Sequence, residues 1–142
     1  MTETDQKKEY LNSYRNLCNK LKSLEEQMQS LLEVERAAKI QRLTDMPKGN
    51  KQTDLSDLIV KEEVLFTKII KIRTECINRR LEIENLIADV DDGIECLILH
   101  KRYIEFKQWE QICIEIGYCW KQTHRIHSKA LSNIFTVTPF QT

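Results

Sequence analysis

The amino-acid sequence predicts an all-α fold: a long antiparallel, coiled-coil-like helical hairpin at the N-terminus, followed by a small three-helix domain. Three observations carry that prediction. Apolar residues over the N-terminal part recur at alternating steps of four and three, the spacing that keeps one seam on one face of an under-wound helix. Charged residues make up 31% of the 142 residues while Gly and Pro number 3 and 2, a balance that favours long solvated helices over a sandwich or an α/β enzyme. After Gly93 the rhythm shortens, and Gly117 separates two further short periodic runs.

The first helix is read from Tyr10, Tyr14, Leu17, Leu21, Leu24, Met28 and Leu31, with Asn, Lys, Glu, Gln and Ser between them; it is expected over roughly residues 4–43, its seam fading after Leu32. The next stretch, TDMPKGNKQTD, holds Pro47 and Gly49 among polar residues, and Pro cannot continue a helix, so a linker is expected near 44–54. A second helix is expected from Leu55, capped by Asp54 or Ser56, with Leu58, Leu65, Ile69, Ile72, Cys76, Ile83, Leu86 and Val90 along its seam and Glu62 and Arg79 in the same register. Phe66, Ile70, Ile77 and Ile87 widen that stripe, which implies packing against more than one neighbour. Two long helices joined by a short loop fold back on each other as a hairpin.

Asp91, Asp92 and Gly93 end the second helix or bend it sharply, because aspartate caps well and Gly is poor inside a helix. Three short helices follow, marked by Ile94, Leu97, Ile98 and Tyr103, by Trp109, Ile112, Cys113 and Ile116, and by Ile126, Ala130, Leu131 and Ile134. The implied organisation is a hairpin over 1–90, a head over 91–135 and a disordered tail over 136–142.

Between the last two helices, Ile116, Gly117, Tyr118 and Cys119 supply what a helix-turn-helix needs: a Gly for left-handed backbone, an apolar residue to plug the core and a small residue at the N-cap. On the final helix Thr123, Ile126, Ala130 and Leu131 share the inward face. Trp120, Lys121, Gln122, His124, Arg125, Ser128 and Lys129 then point outward, and no carboxylate occurs from Gly117 to the C-terminus. Donors and cations of this kind neutralise phosphates and read base edges, and an aromatic ring packs on sugar or thymine methyl groups. Elsewhere the chain mixes both signs, as in Lys61, Glu62 and Glu63.

The run GYCWKQTHRIHSKAL resembles the turn and recognition helix of region 4 of bacterial sigma factors, Leu99, Arg102 and Tyr103 resemble the Leu-x-x-Arg-Tyr of the preceding helix, and WEQICIEIGY resembles the first helix of that motif. The whole chain is similar to the small sigma-like regulators of phages and prophages of the RinA and ArpU type, with Asp45, Met46 and Pro47 standing at the linker. The C-terminal likeness covers about a third of the chain. It implies binding of promoter or operator double-stranded DNA alongside RNA polymerase, through Trp120, Lys121, Gln122, His124 and Arg125. Sigma factors commonly carry a basic and then an acidic residue where Trp120 and Lys121 stand, so a different base sequence should be read. Nothing here resembles their strand-melting segment, which argues against a stand-alone initiator.

Other classes are disfavoured by composition and spacing. Lys plus Arg equals Asp plus Glu at 22 each, so attraction to nucleic acid must be local. Neither a signal-peptide core nor an apolar run of bilayer length occurs, and the 5 scattered cysteines do not form a paired framework, so a cytoplasmic, reduced protein without membrane partners is expected. Cys113, Cys119, His124 and His127 lack the spacing of a zinc finger, and Cys96 with His100 is a lone i, i+4 pair. No phosphate-binding loop or nucleophile elbow appears, so neither a cofactor nor enzymatic activity is expected. The remaining alternative is a helical adaptor that docks its basic helix on an acidic protein such as RNA polymerase without touching DNA. Self-association through the N-terminal helices is a second use of the long seam.

Overall fold

A computed structural model describes residues 2–44 and 51–134, and among these every regular element is helical. The order is α1 (Glu3–Thr44), α2 (Lys51–Ala88), α3 (Gly93–Tyr103), α4 (Trp109–Ile116) and α5 (Trp120–Asn133). None of the described helices is long and apolar enough to cross a membrane. The residues divide into two compact units, one drawn from Met1–Leu17 with Cys76–Thr142, the other Cys18–Glu75.

Helix α1 opens with a capping box. The Asp5 N–H donates to Thr2 Oγ1 at 3.1 Å while the Thr2 N–H donates to Asp5 Oδ2 at 3.3 Å. Hydrogen bonding to the carboxylate from the Thr2 side chain, and then from its N–H, holds the Asp5 carboxyl below its usual range. Helix α2 begins at Lys51, so Asp54 and Ser56 lie inside it and neither caps it. Pro47 and the rest of the expected linker at 45–50 lie outside the described residues, as does the tail at 136–142.

In the unit Cys18–Glu75 the two long helices pair antiparallel. Arg73 Nη2 reaches Glu25 Oε1 at 3.3 Å. Leu21, Leu24, Met28 and Leu31 are partly buried on α1, and the seam runs on through Glu35 and Ala38 rather than fading after Leu32. On α2, Leu55, Leu65, Ile69 and Ile72 are buried. Glu62 keeps its seam position and meets Glu35 of α1: the hydrogen bond between the two carboxyls, aided by burial, raises the Glu62 pKa, while Lys39 and Glu62 lower that of Glu35. Phe66 and Ile70, read as contacts to further neighbours, are exposed in this chain at 55% and 47%.

The other unit combines the first turns of α1, the end of α2 and the three short helices. Tyr10 donates to Glu82 Oε2 at 2.9 Å, Arg79 donates to Ser13 Oγ and lies over the Tyr10 ring, and Leu11 and Ile83 are fully buried. The bend after α2 is closed by Asp92, whose Oδ1 accepts the Ile94 N–H at 2.9 Å, and by the Cys96 thiol, which donates to the carbonyls of Ile87 and Val90. Burial raises the Cys96 pKa, in keeping with a thiol that serves as a donor. Ile98, Leu99, Tyr103 and Ile104 form the centre of this core with Ile112, Ala130, Leu131 and Ile134. Leu97, expected inward, is exposed, whereas Glu95 on the same helix is buried along with Ile98 and Leu99, and its carboxylate accepts from Asn133 Nδ2 at 3.1 and 3.2 Å.

The head does not stand on α3–α5 alone. Lys7 is buried at 6% exposure and its Nζ donates to the Leu131 carbonyl at 2.9 Å, near the end of α5. Tyr14 packs on Phe106 at 5.4 Å, and Arg15 lies over the same ring. Those contacts hold Phe106 at φ 60°, a left-handed conformation that a bulky residue adopts only under external constraint.

Two outcomes are expected. Lys7→Ala leaves a buried carbonyl without its donor and should cost about 1–3 kcal/mol, read in urea unfolding followed by the fluorescence of Trp109 and Trp120, both far from Lys7 in sequence. A group whose pKa is raised on folding contributes stability below its unfolded pKa that is lost as pH rises through the folded one. Glu62→Gln is therefore expected to increase stability at pH 7 and to remove that share of the pH dependence, measured by circular dichroism melts at pH 4.5 and 7.

Candidate nucleic-acid interface

The turn that sets up α5 is built from one glycine. Gly117 sits at φ 75°, ψ 25°, and the N–H groups of Gly117 and Tyr118 both donate to the Cys113 carbonyl, at 2.9 and 3.2 Å. This is a left-handed C-terminal cap, and although a Cβ would meet no neighbour there, the backbone angle itself disfavours any other residue. Cys119 occupies the N-cap with extended backbone but makes no side-chain cap bond. The first turn of α5 thus has neither an acidic residue nor a side-chain acceptor, and its N–H groups retain their preference for an anion.

The inward face differs from expectation at one position. Thr123, Ala130 and Leu131 are fully buried, but the place assigned to Ile126 is taken by His127, at 5% exposure, while Ile126 is half-buried. His127 Nε2 and the Tyr103 hydroxyl share a hydrogen bond of 2.8 Å, and the His127 ring packs against Trp109 at 4.6 Å. Burial, reinforced by the charges of Lys8, His124 and Arg102, lowers the His127 pKa to about 4, so the ring is neutral near pH 7. Burial likewise raises the Tyr103 pKa to about 12. A polar side chain reaches the interior because a partner satisfies it there.

On the outer face Trp120 is 52% exposed, and Lys121, Gln122, Arg125, Ser128 and Lys129 are all exposed. His124 is the exception among the residues assigned to that face. Its ring lies half-buried between Trp109, at 4.5 Å, and Trp120, at 4.3 Å, and its Nε2 is covered without a hydrogen-bond partner. His124 is thus part of the support for Trp120 rather than an outward donor. Beneath it, Arg102 covers the Trp109 ring at 4.9 Å and donates to the Lys107 carbonyl at 3.0 Å. Arg102, Trp109, His124 and Trp120 form a continuous stack from α3 to the exposed start of α5. The sequence signal for this stack was the i, i+4 spacing of Trp120 and His124, with Trp109 one turn-and-helix earlier.

One carboxylate near this surface is tied down. Glu115 on α4 accepts from Lys107 and from Lys101, and these bonds hold its carboxyl below the usual range. Among the described residues no three His, Cys, Asp or Glu side chains converge on a point suited to a metal. Cys113 donates to Thr123 Oγ1 at 3.4 Å, while Cys119 is exposed in the turn.

With the geometry in place, comparison with known proteins adds a family. The profile of a family described as a protein of unknown function, DUF1492, matches residues 38–134, about two thirds of the chain. The chain belongs to the DUF1492 family. No curated protein and no solved structure matches it. In this DUF1492 chain the matched span includes all of α2 and the head, with the turn at Gly117 and the exposed face of α5.

The His127 site makes a pH dependence. A histidine whose pKa falls on folding contributes stability above its unfolded value, near 6.5, that is lost as pH drops towards about 4. The full effect is about 3 kcal/mol at 1.36 kcal/mol per unit. Urea unfolding is expected to lose most of this between pH 7 and 4.5, and His127→Gln should be less stable at pH 7 yet lack that part of the slope.

Proposed function

We propose that this protein is a non-enzymatic, sequence-specific DNA-binding transcription regulator of phage or prophage genes, similar to the RinA and ArpU type, which acts in the cytoplasm with RNA polymerase through its region-4-like helix-turn-helix. The observation that carries the reading is the outer face of α5, where Trp120, Lys121, Gln122, Arg125, Ser128 and Lys129 are exposed together on a helix without an acidic residue. Such a helix laid in a major groove places its first turn towards the base edges.

The roles divide by chemistry. Lys121 and Lys129 are cations on flexible stems suited to phosphates. Gln122 and Arg125 carry forked hydrogen-bonding groups that match adenine and guanine edges. Trp120, backed by His124 and Trp109, presents a rigid aromatic surface to sugar or a thymine methyl group, and Ser128 is a short donor further along. Affinity would come mainly from phosphate neutralisation and fall steeply with salt.

Selection from randomised duplex followed by binding titrations tests the assignment. Enrichment of one motif is expected, Arg125→Ala should lose about 1–3 kcal/mol of discrimination at one base pair, and Lys129→Ala should weaken binding to all sequences while lowering the salt slope by about 1. If no duplex binds and RNA polymerase alone is retained, the helical-adaptor reading replaces this one.

A further inference from the structure

We infer that α2 carries a second, outward seam through which two copies of this chain pair antiparallel. Ile59, Glu63, Phe66, Ile70 and Arg73 follow one another at steps of four, three, four and three, the same rhythm as the buried seam but displaced to another face of the helix. Ile59, Phe66 and Ile70 are exposed at 43%, 55% and 47%, and Glu63 and Arg73 are exposed as well. A solvated helix face has no reason to keep two isoleucines and a phenylalanine in strict heptad register.

The seam is complementary to itself. In an antiparallel pair of helices each layer joins an a position of one to a d position of the other. With the two-fold axis midway between Phe66 and Ile70, Phe66 of each copy meets Ile70 of the other, and one turn outward Glu63 of each meets Arg73 of the other. A parallel arrangement would instead set Glu63 against Glu63 and Arg73 against Arg73. The opposite charges on either side of a central apolar pair therefore select both the orientation and the register, the use that polar seam positions serve in coiled coils.

Helix α1 extends the same flank. Arg73 already bonds Glu25 of its own chain at 3.3 Å. Phe66 lies seven residues before Arg73, and Leu32 lies seven after Glu25. As seven residues return to the same stripe, the antiparallel pairing sets Leu32, exposed at 42%, beside Phe66. In the pair of copies the Arg73 guanidinium is flanked by two carboxylates, Glu25 of its own chain and Glu63 of the second copy. The occupant of this flank is thus a second copy, and the product is a bundle of four helices.

This inference is independent of the DNA reading, and its test uses no DNA. Sedimentation equilibrium of the full chain is expected to show a monomer–dimer equilibrium. Ile70→Lys should shift it to monomer while leaving the helical circular dichroism and the melting temperature of the monomer unchanged, because the residue is exposed within one chain. Glu63→Arg alone and Arg73→Glu alone should each raise the dimer Kd by about tenfold or more, and the triple variant Glu63→Arg, Arg73→Glu, Glu25→Arg, which also keeps the pair within each chain opposite in sign, should restore most of the loss. A chain that is monomeric at every concentration would overturn the proposal. So would a dimer indifferent to Ile70→Lys, or a triple variant no tighter than the worse single variant.

Discussion

The hydrogen bond between Tyr103 and a neutral His127 sets the rotation of α5 about its own axis. Neighbouring residues on a helix are about 100° apart, so a turn that buried Ile126 would carry His127 towards water and swing the cationic face with it. Hydrophobicity taken residue by residue favours that alternative, since isoleucine is the more apolar of the two. The observed rotation prevails because the imidazole enters the core with a partner for its ring nitrogen and with Trp109 packed on its side. A polar group that is satisfied in the interior specifies one geometry where an apolar one would tolerate several.

That rotation has a consequence at the start of α5. It brings His124 between the two tryptophans, so that Trp120 is held from below by His124, Trp109 and Arg102 in turn. A half-exposed tryptophan held in one orientation has already lost most of the freedom that binding would otherwise take from it. The stack therefore serves any partner that meets a flat aromatic surface, and it places that surface directly beside Lys121 and Gln122. The cost is a buried His124 nitrogen without a partner, a cost that the aromatic contacts on both of its faces offset.

Much of this was legible from spacing. The seam residues, the bend at Asp92, the left-handed Gly117 and the start of α5 at Trp120 follow from local rules of periodicity and capping, which depend on neighbours within a turn or two. What escaped depends on contacts distant in sequence. The exchange of Ile126 for His127 requires Tyr103, 24 residues away. The burial of Lys7 requires a carbonyl 124 residues away, and a lysine near an N-terminus carries no local mark of that role. Glu95 is buried where Leu97 is not because Asn133 Nδ2 donates to both oxygens of its carboxylate. Helix α2 begins at Lys51 because Lys, Gln, Thr and Asp over 51–54 violate no helical rule, although their polarity suits a linker equally well.

The electrostatic character of α5 depends on both of its ends. A helix carries partial positive charge at its N-terminus and partial negative charge at its C-terminus, the latter usually countered by a basic residue in the last turn. The last turn of α5 has none. Lys7 of α1 takes that place, donating to the Leu131 carbonyl from across the core, and Glu95 lies at the same end on the buried side, bonded to Asn133. The Leu131 carbonyl is thereby answered by Lys7 from within the core, while the exposed side carries Lys121, Arg125 and Lys129. A basic residue recruited from the last turn itself would have occupied that surface. By drawing the counter-charge from the first turns of α1, the fold keeps the whole outer length of α5 available, and it makes those first turns part of the head.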